Sequence, residues 1–209
     1  RVGKSSLLAL LRKEPFKPDR DSTHGMILGE LELPHPTEPD QMMQLNTWDF
    51  GGQEHYHAPH QFFLTDRALY LIVWNAGQNY EQGGVLYWLD TVTARAPKAK
   101  ILVVATHRDQ REPDIPFADL KKRYPQIVGP LFAVSCKVEG DGEALRQAIA
   151  DAAVDTEMMG RRWPDAWRKA ADALQRKAKK TKYLSPAQLK PLLSRNGVKD
   201  SSQQTLKRW

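Results

Sequence analysis

Arg1-Val2-Gly3-Lys4-Ser5-Ser6-Leu7-Leu8 opens the chain. The stretch reads as the second half of G-x-x-x-x-G-K-[ST] running into a helix, the pattern of a loop that cradles phosphate. Glycine lets the backbone curl so that its N–H groups face an anion, and the helix N-terminus adds partial positive charge. On this reading Gly3, Lys4, Ser5 and Ser6 meet a nucleoside triphosphate. Lys4 reaches the β- and γ-phosphates and the Ser5 hydroxyl binds Mg²⁺. A plain helix start with a serine nearby has the same letters, so the tripeptide alone does not decide. The motif's first glycine and an apolar strand feeding it are expected ahead of Arg1. Without them the chain by itself is expected to fold poorly and to bind nucleotide poorly.

Four further stretches give the first one its meaning. Trp48-Asp49-Phe50-Gly51-Gly52-Gln53-Glu54 follows a half-alternating run, Met42 to Thr47, that suits a strand with one buried face. Asp49 is expected to hold Mg²⁺ through water, Gly52 to offer its N–H to a γ-phosphate, and Gln53 to orient the attacking water. Taken alone, the stretch is also consistent with a Gly-Gly turn. Thr106-His107-Arg108-Asp109 follows the apolar run Ile101 to Ala105, as expected of a parallel strand buried on both faces. A carboxylate beyond such a strand sits where open α/β sheets bind ligands. Asp109 can accept from guanine N1–H and the 2-amino group together, a donor pair that adenine lacks there. Ser135-Cys136-Lys137 closes the expected strand Leu131 to Val134. Its N–H groups can meet guanine O6 and the Lys137 stem can lie over the base, or it is an ordinary strand exit. Thr23 lies in Asp21-Ser22-Thr23-His24-Gly25, where it is a second candidate Mg²⁺ ligand or part of a Ser/Thr turn. The order Gly-Lys-Ser, Thr, Asp-x-Gly-Gly-Gln, Thr-x-x-Asp, Ser-x-Lys is that of the Ras-like GTPases.

Within that superfamily the chain resembles the Roc (Ras of complex proteins) domain of Roco proteins. The resemblance rests on Ser22-Thr23-His24-Gly25, on Trp48 to Gln53, on Tyr56 to Thr65, and on His107 where most Ras-like proteins carry Lys. It covers residues 1–155. Residues 156–209 resemble the start of the COR domain that follows Roc. The resemblance implies an α/β Ras-like P-loop fold: a mainly parallel sheet with helices on both faces, lacking its first strand here, then a small helical segment. It also implies GTP and GDP binding with Mg²⁺, slow GTP hydrolysis by a switch, and homodimerisation through COR. Nucleotide contact falls to Gly3, Lys4, Ser5, Ser6, Thr23, Asp49, Gly52, Thr106, His107, Asp109, Ser135, Cys136 and Lys137. Gln53 is the catalytic candidate, and Ser5, Thr23 and Asp49 are the Mg²⁺ candidates.

Composition sets bounds. A chain of 209 residues, 41% hydrophobic and 27% charged, fits one medium globular domain and part of a second. No stretch approaches the roughly 20 apolar residues of a membrane span. One cysteine excludes an intrachain disulfide framework and agrees with a reducing cytosol, so the expectation is a cytoplasmic protein. The net charge of +6 is uneven. Residues 1–155 carry 17 Lys/Arg and 21 Asp/Glu, a net of −4, and residues 156–209 carry 14 and 4, a net of +10. The basic surplus belongs to the tail, where a solvated helix face is a simpler account than nucleic-acid binding.

Periodicity places the elements. Helices are expected over Ser5–Arg12, Gly84–Arg95, Phe117–Tyr124 and Glu143–Val154. Strands are expected over Met26–Leu33 and Met42–Asp49, paired antiparallel at the sheet edge, and over Ala68–Trp74. The inward faces read as Leu86, Leu89 and Val92/Thr93, and as Leu145, Ala148, Ile149 and Ala152. Lys13 to Thr23 reads as a switch loop. His55, His57 and His60 lack structural zinc spacing. In the tail, Trp163, Trp167, Ala171, Leu174 and Ala178 make one helical stripe. Ser185-Pro186 opens another helix, which Pro191 should kink or shorten, and Asp200-Ser201 starts a third. Arg20 and Arg67 are arginine-finger candidates by charge alone. A nucleotide-sensing dimerisation scaffold with little hydrolysis is the alternative reading, since the motifs do not separate the two.

Overall fold

The structure is a computed structural model that describes residues 2–21, 23, 25–38, 40–51, 63–156, 159, 165–178 and 185–198. The chain divides into two compact units, Arg1–Met159 and Gly160–Trp209.

In the first unit the order is α1 (Lys4–Leu11), β1 (Met26–Pro34), β2 (Met42–Phe50), β3 (Leu69–Asn75), α2 (Val85–Arg95), β4 (Lys100–Thr106), α3 (Phe117–Arg123), β5 (Phe132–Ala133) and α4 (Glu143–Val154). Strands β3, β4 and β5 form a parallel sheet in that order. Strands β1 and β2 pair antiparallel, with Leu31 opposite Leu45 and Leu33 opposite Met43. Among the described residues no ladder joins β2 to β3. The division falls where a central strand is expected.

β4 explains how the parallel sheet is covered. Its residues Ile101 to Ala105 are all buried, and alternate side chains serve opposite cores. Ile101, Val103 and Ala105 pack with Val85, Leu89 and Val92 of α2 and Leu120 of α3. Leu102 and Val104 pack with Leu7 and Leu11 of α1, Leu145 and Ile149 of α4, and the inward leucines of β1. Each fully buried leucine contributes about 1.5–3 kcal/mol relative to exposure, so both layers are held by apolar burial. Side-chain hydrogen bonds then fix the hairpin against the helices. The Arg12 guanidinium donates to Glu30 O and Thr47 Oγ1, both at 2.7 Å. Arg146 of α4 donates to Glu32 O at 3.1 Å.

Three expectations need correction. The buried stripe of α2 is Val85, Leu89, Val92 and, just past its end, Ala96, while Leu86 is only partly buried. The spacing 85, 89, 92, 96 follows one helix face, one residue out of phase with the face read from sequence. The strand expected over Leu131–Val134 pairs as a strand only at Phe132 and Ala133. Beyond it Val134 N–H donates to Ala105 O, and Val134 O receives the Arg108 N–H, so the backbone there is satisfied by a turn.

The second unit contains α5 (Asp165–Ala178) and α6 (Pro186–Arg195). A small core of Ala170, Leu193 and Val198 joins them, flanked by Ala166 and Leu189. Ser185 and Gln188 form a capping box in which Ser185 N–H donates to Gln188 Oε1 at 3.1 Å. Pro191 does not shorten α6, which runs through it to Arg195. Its third turn is held from the far end, where Val198 N–H donates to Leu193 O. Of the expected stripe, Leu174 is part-buried; the side chains of Trp163, Trp167, Ala171 and Ala178, and the helix expected from Asp200, lie outside the described residues. No described helix is long and apolar enough to cross a membrane.

Candidate functional site

The α1 N-terminus opens into a cleft of about 390 Å³, room for a nucleotide-sized ligand. Gly3, Lys4, Ser5 and Ser6 line one end, and His107, Asp109, Cys136 and Lys137 line the other. The site residues expected from 100 positions apart thus share one cavity.

At the first end Gly3 caps α1 in the left-handed region (φ 83°), a conformation that suits glycine. The first turn of α1 carries no acidic residue, so its free N–H groups and positive dipole end face the cleft without a carboxylate to neutralise them. Burial pushes the Lys4 ammonium below its ordinary pKa, and the charge of Asp49 pulls the other way. Three oxygens converge beside it. Ser5 Oγ donates to Asp49 Oδ2 at 2.5 Å and lies 2.8 Å from Thr23 Oγ1, which is itself 3.3 Å from Asp49 Oδ2. Two hydroxyls and a buried carboxylate are hard oxygen donors of the kind Mg²⁺ takes. Among the described residues no cluster of His, Cys, Asp and Glu offers an all-protein metal site.

At the other end Asp109 is held from both sides. Its Oδ1 accepts from Ser135 Oγ (2.9 Å) and its Oδ2 from Lys137 Nζ (2.8 Å). The Lys137 bond first, and the Ser135 bond second, hold its carboxyl below the usual carboxylate range, so it remains an ionised acceptor. Thr106 is fully buried behind this loop. Its hydroxyl lies 2.7 Å from Val2 O, 3.1 Å from Trp74 O and 2.9 Å from His107 Nδ1. Its one proton goes to a carbonyl, so Nδ1 of His107 serves as the donor to the Thr106 oxygen. His107 occupies the left-handed region (φ 62°), and burial lowers its pKa, which keeps the ring neutral. Burial, then the charges of Asp109 and Asp141, pushes the Cys136 thiol up to about 11, so it offers no thiolate.

Gly52 and Gln53 lie outside the described residues, as do His55, His57 and His60. Sequence reasoning missed Phe16 and Pro18, which line the cleft from the loop after α1 together with Arg20 and Thr23. The only local signal was an aromatic between two prolines. It also missed Asp141, whose carboxylate accepts from Ser135 N–H at 2.6 Å.

A profile of the Roc family, described as "Ras of Complex, Roc, domain of DAPkinase", matches residues 1–109. The chain is similar to the Dictyostelium discoideum "Probable serine/threonine-protein kinase pats1" (34% identical over 125 residues, 52% of this chain and 4% of that protein). It is similar also to the Mus musculus "Leucine-rich repeat serine/threonine-protein kinase 1" (31% over 172 residues, 71% and 8%). Among solved structures it matches Methanosarcina barkeri Roco2 RocCORdC bound to GDP with a TM-score of 0.77 and 27% identity. That match covers 99% of this chain and 61% of the solved one. The chain therefore spans a small part of these curated relatives. The cleft and its loop order agree with this assignment, and the chain belongs to the Roc family, the Ras-like domain of Roco proteins.

Proposed function

We propose that this chain binds GDP and GTP with Mg²⁺ and, in the intact protein, hydrolyses GTP slowly as a conformational switch. The observation that carries the reading is the distance-matched pair of half-sites in one cleft. One is a lysine and three hard oxygens at a helix N-terminus, and the other is an ionised Asp109 braced by Ser135 and Lys137. Lys4 meets the β- and γ-phosphates, and the α1 N–H groups meet the phosphate oxygens between them. Asp109 accepts from the two donors on the guanine edge, while Phe16 and the Lys137 stem supply apolar contact to the ring. Ser5, Thr23 and Asp49 would hold Mg²⁺, which when bound neutralises charge on the β- and γ-phosphates. Gln53 orients the attacking water. Thr23 is the residue through which the loop after α1 reports whether the γ-phosphate is present.

The titles of the relatives support placing residues 1–155 in Roc and 156–209 at the start of COR, and COR is where we place homodimerisation. The division of the chain at Met159 and Gly160 supports the same reading.

The test is a titration of the intact protein with GDP, a GTP analogue and ADP, followed by phosphate release with and without Gln53→Leu. Guanine nucleotides bind, ADP does not, and Gln53→Leu slows release without weakening GTP. Preference for ADP overturns the reading. Equal release by the Gln53 variant removes that residue from the mechanism. Light scattering with GDP and with the GTP analogue tests the dimer, whose size should change between the two.

A further inference from the structure

The carboxylate of Asp109 can read a base edge only if it is aimed, and its aim depends on a second loop. Both of its oxygens are held by residues that follow β5, Ser135 and Lys137. Strand β5 is two residues long, so the ladder itself does little to fix that loop. What fixes it is Asp141. Two successive turns, Val138 N–H to Ser135 O at 3.2 Å and Asp141 N–H to Val138 O at 3.3 Å, bring Asp141 back against Ser135. Its Oδ2 then accepts the Ser135 N–H at 2.6 Å. Its Oδ1 accepts from the Arg108 guanidinium at 2.5 Å, with the Asp141 side chain only 13% exposed. Arg108 is the residue before Asp109. The four residues close a ring: Arg108 to Asp109 through the chain, Asp109 to Ser135, Ser135 to Asp141, and Asp141 back to Arg108.

The geometry points to Asp141, through Arg108 and Ser135, as the positioning residue that sets guanine selectivity at Asp109. This rests on the guanine-nucleotide reading above and deepens it. The ring contains two charge-assisted bonds to one nearly buried carboxylate, the stronger kind of hydrogen bond. Without Asp141 the two loops lose their shared anchor, Ser135 Oγ no longer has a fixed place, and the carboxylate of Asp109 turns toward Lys137 alone. The phosphate end does not pass through this ring, so its contribution to affinity stays. Asp141 does not touch the base; it acts through two residues that hold the one that does. If it merely caps α4, which begins two residues later, its loss lowers stability and leaves base choice alone.

The experiment compares GDP with inosine diphosphate, which lacks the 2-amino group, on the intact protein. Wild type is expected to favour GDP by about tenfold or more, the value of one hydrogen bond to a charged group. Asp141→Ala is expected to bring that ratio below about threefold, largely by weakening GDP. Arg108→Ala moves it part of the way, and Asp141→Asn, which keeps an acceptor for Ser135 N–H, retains most of it. An Asp141→Ala protein whose GDP and inosine diphosphate affinities fall in equal proportion, or keep the wild-type ratio, overturns the inference. If Asp141→Ala does not fold, Arg108→Ala decides by the same ratio. A wild type that binds both nucleotides alike, or neither, overturns the guanine reading and this inference with it.

Discussion

Thr106 Oγ1 lies 2.7 Å from the carbonyl oxygen of Val2, a hydrogen bond between residues 104 apart in sequence. It joins the loop that meets phosphate to the end of the strand that carries Asp109. Since Thr106 is fully buried, the bond sits out of water, where removing one partner costs the most. Thr106→Val keeps the shape and deletes the hydroxyl, leaving the carbonyls of Val2 and Trp74 and Nδ1 of His107 one partner short. The expected outcome is a loss of about 1–3 kcal/mol of stability and faster GDP release. Thr106→Ser, which keeps the oxygen, restores most of both. Thermal unfolding and stopped-flow release of a fluorescent GDP give the two readouts.

Lys4 illustrates how function and stability oppose each other at this site. Burial lowers its pKa in spite of Asp49 nearby, so the folded chain carries a partly desolvated ammonium whose stabilising partner is incomplete. Lys4→Met keeps the aliphatic stem and removes the charge. Nucleotide-free stability is expected to rise by up to about 1 kcal/mol, while GDP binding is lost. Differential scanning fluorimetry with and without GDP separates the two effects: the variant melts at or above wild type without ligand and gains nothing from it. A variant that is both less stable and still stabilised by GDP would remove Lys4 from the phosphate site.

Much of this site was legible because its parts stand at the ends of patterned elements. Asp109 follows a run that is buried throughout, and Leu31 and Leu33 alternate with Glu30 and Glu32 as a half-buried strand must. Residues in such places carry a local signal. Phe16, Arg12 and Asp141 do not. Each acts through a partner that the fold brings near: the cleft for Phe16, Glu30 O and Thr47 for Arg12, Ser135 and Arg108 for Asp141. A single arginine after a helix or a single aspartate in a loop looks the same whether it is solvated or buried in such a contact. The phase of α2 was missed for a related reason. Val85 and Leu86 are equally apolar, and only packing against Ile101 and Val103 selects Val85.

Gly29 lies where a side chain would collide with the Arg12 guanidinium, which is already committed to Glu30 O and Thr47 Oγ1. Gly29→Ala therefore forces Arg12 out of both hydrogen bonds, at an expected cost of about 1–2 kcal/mol. The cost comes from Arg12 and not from the strand backbone, which gains from losing a glycine. The two substitutions are accordingly non-additive. Gly29→Ala in an Arg12→Ala background should cost less than half of what it costs in wild type. Denaturant titration of the four proteins of this cycle measures the coupling. Full additivity would show that Arg12 does not fasten the hairpin to α1.

Tyr124 gives a pH dependence that is independent of the nucleotide. Its hydroxyl donates to Asp90 at 2.6 Å, and the Arg123 guanidinium lies 5.1 Å over its ring. Burial first, then the bond to Asp90 and the charge of that carboxylate, raises the phenol from 10.0 to about 12. The folded state therefore holds its proton more tightly than the unfolded state does. The resulting stability is fully present below pH 10, declines as pH rises above it, and is gone once pH passes the folded value near 12. Tyr124→Phe lacks the proton, so it loses the Asp90 bond at neutral pH and has no such alkaline limb. Its stability curve should start below wild type by about 1 kcal/mol and converge on it as pH rises from 10 toward 12. Urea unfolding at pH 8, 10 and 11 measures the gap between the two proteins. A gap that stays constant across that range would show that the phenol ionises as readily folded as unfolded, and that the Asp90 bond does not hold its proton.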